Sequence, residues 1–91
     1  MVHVVDFFYA DHCPGCPEAR QVIHRFAASR RDVIVVEHDL EIEAQLALAR
    51  RYRVIATPAV VIDGHAVMYG VPHPAALAAR VDASRWFDEA R

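Results

Sequence analysis

Lysine is absent: all 10 basic residues of the chain are arginines. They form no basic run and no stripe of alternating basic and aromatic residues. With 12 acidic residues the formal net charge is -2, so the electrostatic footprint of a nucleic-acid binder is missing. Cysteine is scarce as well. The only two, Cys13 and Cys16, lie within four residues of each other, whereas a secreted disulfide framework spreads its cysteines along the chain. No apolar run approaches the roughly 20 residues that span a bilayer, and neither a repeat nor a linker is visible. The opening Met1-Val2-His3-Val4-Val5-Asp6 has no basic region, and its apolar run is broken by Asp6. The expectation is a cytoplasmic protein with no membrane partner and no nucleic-acid partner.

What is present is the material of one small core. The chain has 91 residues and is 55% apolar, enough for a packed domain and too much for disorder. A single domain over 1–91 is expected.

Val2 to Tyr9 is apolar and rich in β-branched and aromatic residues, and reads as a buried strand. Ala10-Asp11-His12 is a loop, and Cys13-Pro14-Gly15-Cys16-Pro17 follows it. A helix is expected from here, since Ala19, Val22, Ile23, Phe26 and Ala27 share one helical face. Pro14 suits the first helical position, which would make Cys13 the N-cap. Val33 to Val36 reads as a strand buried on both faces. Asp39 is the expected cap of a second helix over Leu40 to Arg51, with Ile42, Leu46 and Ala49 facing inward. Ala59 to Ile62 is a third strand. Asp63-Gly64 is a hairpin signal, and His65 to Tyr69 is a fourth strand. A last helix begins near Pro74 and carries Leu77, Ala78 and Val81, with Ser84 to Arg91 either continuing it or folding back. The order β-α-β-α-β-β-α predicts an α/β fold. Its four-stranded sheet is mixed and has helices on both faces.

Two cysteines separated by two residues, placed between a strand and a helix, have a chemical meaning. The helix N-terminus favours an anion, so the first thiol should ionise more readily, and the thiolate is the species that attacks disulfides. The second thiol, one turn on, can attack the mixed disulfide so formed and release the partner. Cys13 is therefore the expected nucleophile and Cys16 the resolving cysteine. Apart from that redox-active pair no cofactor is expected.

Two other readings of the pair exist. A structural disulfide over so short a loop would contribute only about 2 kcal/mol in the loop-entropy model. A metal or iron–sulfur site would need ligands from elsewhere, and none of the 6 histidines pairs with another at the three-to-five spacing usual for zinc. Two cysteine pairs bridging a dimer could still share such a group.

Thr57-Pro58 reads locally as a proline leading a strand. The histidines read as surface or edge residues. His12, beside Cys13, could support the thiolate or steer a partner, though a solvent-facing loop residue is the simpler view. Asp6 is either at an exposed edge or an acid able to relay a proton to Cys16, the structural view being simpler.

With these segments in hand, the chain resembles the thioredoxin-like superfamily, and within it the small archaeal-type proteins that mix thioredoxin and glutaredoxin features. The residues carrying the resemblance are Val2–Tyr9 leading into Cys13-Pro14-Gly15-Cys16-Pro17, then Ala56-Thr57-Pro58-Ala59-Val60-Val61-Ile62-Asp63-Gly64, and Gly70-Val71-Pro72 before the last helix. The resemblance implies a thioredoxin-like fold and thiol–disulfide oxidoreductase activity. It implies that Pro58 is cis and packs on the cysteine pair, and that the Thr57 backbone pairs with the substrate. His12, Pro14 and Gly15 complete the expected substrate-binding set.

The departures are specific. His12 stands where thioredoxins carry Trp, and Phe7 stands where they carry a buried acid, Asp6 being one place away. Ala10-Asp11-His12 and Gly70-Val71-Pro72 lack the glutathione-binding features of glutaredoxins. Protein disulfides are thus the expected substrates, a flavin-dependent reductase or glutathione the expected electron source, and a monomer the expected state. A glutathione-coupled glutaredoxin and a metal or cluster carrier are the alternatives.

Overall fold

The computed structural model describes residues 2–90. Its centre is strand β1, His3–Tyr9, whose side chains alternate between two apolar clusters. Val5 and Phe7 join one cluster and Phe8 joins the other, and all three are fully buried. Burial of such side chains contributes about 1.5–3 kcal/mol each. That two-sided demand is why β1 lies inside the sheet.

Helix α1, Cys16–Ala28, buries Ala19, Ile23 and Phe26 on the Phe7 side. The chain then returns as β2, Val33–Asp39, parallel to β1 with His3 opposite Val33 and Tyr9 opposite Asp39. Helix α2, Glu43–Arg51, packs Ala49 and Leu48 on the Phe8 side. Strand β3, Ala59–Ile62, is antiparallel to β1, and β4, Ala66–Tyr69, is antiparallel to β3. The strand order is β2-β1-β3-β4. Helix α3, Pro74–Ala90, brings Leu77 and Val81 back to the α1 side. One face thus carries α1 and α3 and the other α2, matching the expected order and layering.

The hairpin forms as its sequence asks. Asp63 and Gly64 have φ of 52° and 73°, and the His65 N–H donates to the Ile62 carbonyl at 3.0 Å. Two consecutive left-handed residues are what a type I′ turn needs. His65 belongs to the turn, so β4 starts one residue later than expected.

Four local expectations are corrected. Helix α1 begins at Cys16 with Gly15 as N-cap, so Cys13 is not the cap and Pro14 is not its first residue. Pro17 has no N–H with which to bind the Cys13 carbonyl, and that carbonyl instead accepts from the Cys16 N–H at 3.2 Å in a tight turn. Strand β2 is not buried on both faces. It is an edge strand running on to Asp39, with Ile34 51% and Val36 39% exposed, because the short α2 covers only the Phe8 end of that face.

Helix α2 is capped by Ile42, not Asp39. Asp39 ends β2, and its carboxylate accepts from the Glu41 N–H at 2.9 Å in a turn that delays the helix and leaves Ile42 exposed. Finally, two histidines are core residues. His3 is 1% and His38 8% exposed, each held by a carboxylate. The tail continues α3 as far as Ala90, and the side chains of Trp86 and Phe87 lie outside the described residues.

Candidate active site

β1 ends at Tyr9, and the chain turns through Asp11 and His12 to reach the cysteines at the head of α1. His12 adopts φ of 59°, a left-handed conformation open to few residues other than glycine, with histidine among the tolerated ones. Cys13 and Cys16 form a disulfide with Cα atoms 5.4 Å apart. The two sulfurs are not equivalent in access. Cys16 is 4% exposed and part of the core beneath α1, whereas Cys13 is partly open.

The peptide bond between Thr57 and Pro58 is cis. Pro58 is buried and stands against the loop between the cysteines: a methyl group on Gly15 would lie 3.5 Å from Pro58 Cδ and 3.5 Å from Val71 Cγ2. The Gly70 N–H donates to the Pro58 carbonyl at 3.0 Å. Three segments therefore converge: the cysteine loop, Thr57–Pro58, and Gly70–Val71. Thr57 is half-buried beside this junction, and Pro14 and His12 are exposed on its rim. Val71, 40% exposed, belongs to the junction but was not among the expected contact residues. Its only signal in the sequence is its place in the Gly70-Val71-Pro72 loop.

The flank of the site is charged. The Arg20 guanidinium lies 4.6 Å from the Tyr9 ring centroid and 5.5 Å from that of Phe7. Its Nε donates to both carboxylate oxygens of Glu37 at 3.2 Å, and His24 Nε2 is 2.6 Å from the same group. Burial pushes the Glu37 carboxyl upward, but the His24 hydrogen bond and the Arg20 charge outweigh it, and the net shift is downward.

Asp6 is on the α2 side of the sheet, 8% exposed, with Oδ1 2.7 Å from His38 Nε2. The His38 ring stacks on Phe8 at 4.7 Å. Asp6 thus faces away from the cluster that contains Cys16. Among the described residues, no three His, Cys, Asp or Glu side chains gather as a metal-binding group.

A family model described as a thioredoxin domain matches residues 2–82. The chain belongs to the thioredoxin family. A thioredoxin from Methanocaldococcus jannaschii is 30% identical over 73 residues, which is 80% of this chain and 85% of that one. The solved structure of a mutant thioredoxin from Halobacterium salinarum superposes with a TM-score of 0.74 at 28% identity, over 89% of this chain and 73% of the other. Mitochondrial thioredoxin 3 of Saccharomyces cerevisiae, in its oxidised form, gives 0.74 at 25% identity, over 89% of this chain and 77% of its own.

Family membership and the close cysteine pair together make this thioredoxin-like chain a thiol–disulfide oxidoreductase. Among the described residues no helix is long and apolar enough to cross a membrane.

Proposed function

We propose that the protein reduces disulfides in other proteins, with Cys13 as nucleophile and Cys16 as resolving thiol. The observation that carries this reading is the unequal burial of the pair at the head of α1, Cys13 being partly open and Cys16 only 4% exposed. In the dithiol form the Cys13 thiolate attacks one sulfur of the substrate disulfide. A new S–S bond joins Cys13 to the substrate, and the other substrate sulfur leaves as a thiolate and is protonated by solvent. Cys16 then loses its proton and attacks Cys13 Sγ, which releases the second substrate thiolate and closes the internal disulfide. Two electrons have passed to the substrate.

Cys13 stands two residues ahead of the Gly15 N-cap, just beyond the helix end that favours an anion. Thr57 offers its backbone to the substrate chain beside Pro58, with His12, Pro14 and Gly15 bordering the contact. The protein acts as a monomer in the cytoplasm and needs no bound cofactor. A flavin-dependent reductase or glutathione returns the two electrons.

The test is a redox titration. The protein is equilibrated in dithiol–disulfide buffers of defined potential, free thiols are alkylated, and the mass is read. A single two-electron transition near -270 mV, the reducing end of about -270 to -120 mV for such pairs, is expected. A transition at the oxidising end would mean disulfide donation instead. The absence of any reversible internal disulfide would overturn the redox reading.

A further inference from the structure

Tyr69, the last residue of β4, places its hydroxyl on the loop that leads into Thr57–Pro58. The Ile55 N–H donates to the phenol oxygen at 3.2 Å, and the phenol O–H donates to the Arg53 carbonyl at 3.2 Å. The next residue, Gly70, donates its N–H to the Pro58 carbonyl at 3.0 Å. The one after that, Val71, reaches the cysteine loop at Gly15. Three consecutive residues thus hold both ends of the 53–58 segment and touch the loop between the sulfurs.

That segment belongs to neither α2 nor β3, so its shape depends on such anchors. It opens at Arg53 with φ of 59°, a left-handed conformation costly for a residue with a side chain. Between the anchors stands Ile55, 87% exposed, followed by exposed Ala56. An isoleucine so open contributes little to the core. It becomes useful when a partner covers it, and only if the loop presents it in one place.

We propose that Tyr69 is a positioning residue for docking of protein disulfides. It holds the Arg53–Thr57 loop so that Ile55 meets an apolar side chain of an extended polypeptide while the Thr57 backbone pairs with that chain. This rests on the reductase reading and adds a substrate class to it: an extended segment with an apolar residue beside its half-cystine. Tyr69 acts through the loop and not on the sulfurs, so small disulfides that do not reach Ile55 are indifferent to it.

Tyr69→Phe keeps the ring and removes both hydrogen bonds. Steady-state reduction of insulin and of bis(2-hydroxyethyl) disulfide, with dithiothreitol as donor, reads the effect. KM for insulin should rise about fivefold, in keeping with loss of one or two exposed hydrogen bonds, with kcat nearly unchanged. The small-disulfide rate and the reduction potential should stay at the wild-type values. Ile55→Ser should reproduce the rise in KM without touching the latch. An unchanged KM in both variants, or equal losses on both substrates, would overturn the proposal. Failure of the underlying reading looks different: the unsubstituted protein would then turn over neither disulfide, and this proposal would fall with it.

Discussion

Asp6 and Phe7 are neighbours on β1 that serve opposite faces of the sheet. Phe7 is fully buried in the cluster that contains Cys16, and Asp6 pairs with His38 on the α2 side. The strand period of two makes a single-residue offset decisive. The place beneath Cys16 is therefore apolar, and the nearby acid in the sequence is a structural partner of a histidine. In the proposed cycle, Asp6 is on the wrong face of the sheet to take the Cys16 proton, which leaves to solvent or another group.

Asp6→Asn accordingly should leave the pH profile of disulfide reduction unmoved. It should lower stability by roughly 1 kcal/mol, since the buried hydrogen bond between Asp6 and His38 is weakened. Rate measurements from pH 5 to 9 beside urea unfolding at pH 7 separate the two effects. A displaced rate profile would show that the carboxylate communicates with the thiols through the sheet.

The inequality between the sulfurs leads to a trapping prediction. Cys16→Ser should accumulate a covalent adduct with a disulfide substrate, because its open Cys13 attacks and nothing resolves the product. Cys13→Ser should accumulate none, since its remaining thiol is in the core. Non-reducing electrophoresis with intact mass reads the adduct, and the reverse pattern would exchange the two roles.

The parts of the molecule written in local sequence were legible in it. The cysteine loop lies between a strand and a helix, Asp63-Gly64 makes its turn, and Leu77 and Val81 face the core. What escaped depends on contacts between distant residues. His3 is buried because Asp63, 60 positions away, receives it, and His38 because Asp6, 32 positions away, does. The apolar run from Val33 does not reveal that β2 has a neighbour on one side only. Pro17 delays α1 through a missing N–H, which is local but easily overlooked beside Pro14. At the site, the thiols were legible as a motif, whereas the roles of Val71 and Tyr69 follow from chain segments that meet only in the fold.

Asp63 makes stability depend on pH in the acid range. Its carboxylate accepts from the Val4 N–H at 2.7 Å and the Ser84 hydroxyl at 2.6 Å, and lies 2.6 Å from His3 Nδ1. Burial pushes the carboxyl up, but the hydrogen bonds from Ser84, His3 and Val4 outweigh it and hold it below the ordinary 3.8. A carboxyl lowered in the folded state adds stability above its unfolded value and loses it as pH falls through the folded one. Asp63→Asn should therefore cost roughly 1–3 kcal/mol at pH 7 and flatten the decline of stability below pH 3.8. Some decline should persist through Asp32, which the Arg30 hydrogen bond holds at about 2. Urea midpoints between pH 7 and 2 test this, and an undiminished acid slope in the variant would remove Asp63 from the explanation.

The end of α2 carries a backbone cost that a substitution can relieve. Tyr52 is the C-cap, the Arg53 N–H donates to the Arg50 carbonyl at 3.0 Å, and the Val54 N–H donates to the Ala49 carbonyl at 2.8 Å. This is the paired-bond ending in which the residue after the cap is left-handed and is usually glycine. Here that residue is Arg53, with φ of 59° and an exposed side chain, while Val54 packs against the apolar cluster that includes Ala49. Relief of the left-handed strain is worth about 1–2 kcal/mol, and the greater freedom of glycine in the unfolded chain takes back about 0.4–1. Arg53→Gly should thus stabilise the protein by up to about 1.6 kcal/mol, and raise Tm by about 4–8 °C for each kcal/mol gained in a chain of this size. The carbonyl that receives the Tyr69 hydroxyl belongs to the backbone and survives the change. A lower Tm would mean that the Arg53 side chain contributes more than its conformation costs.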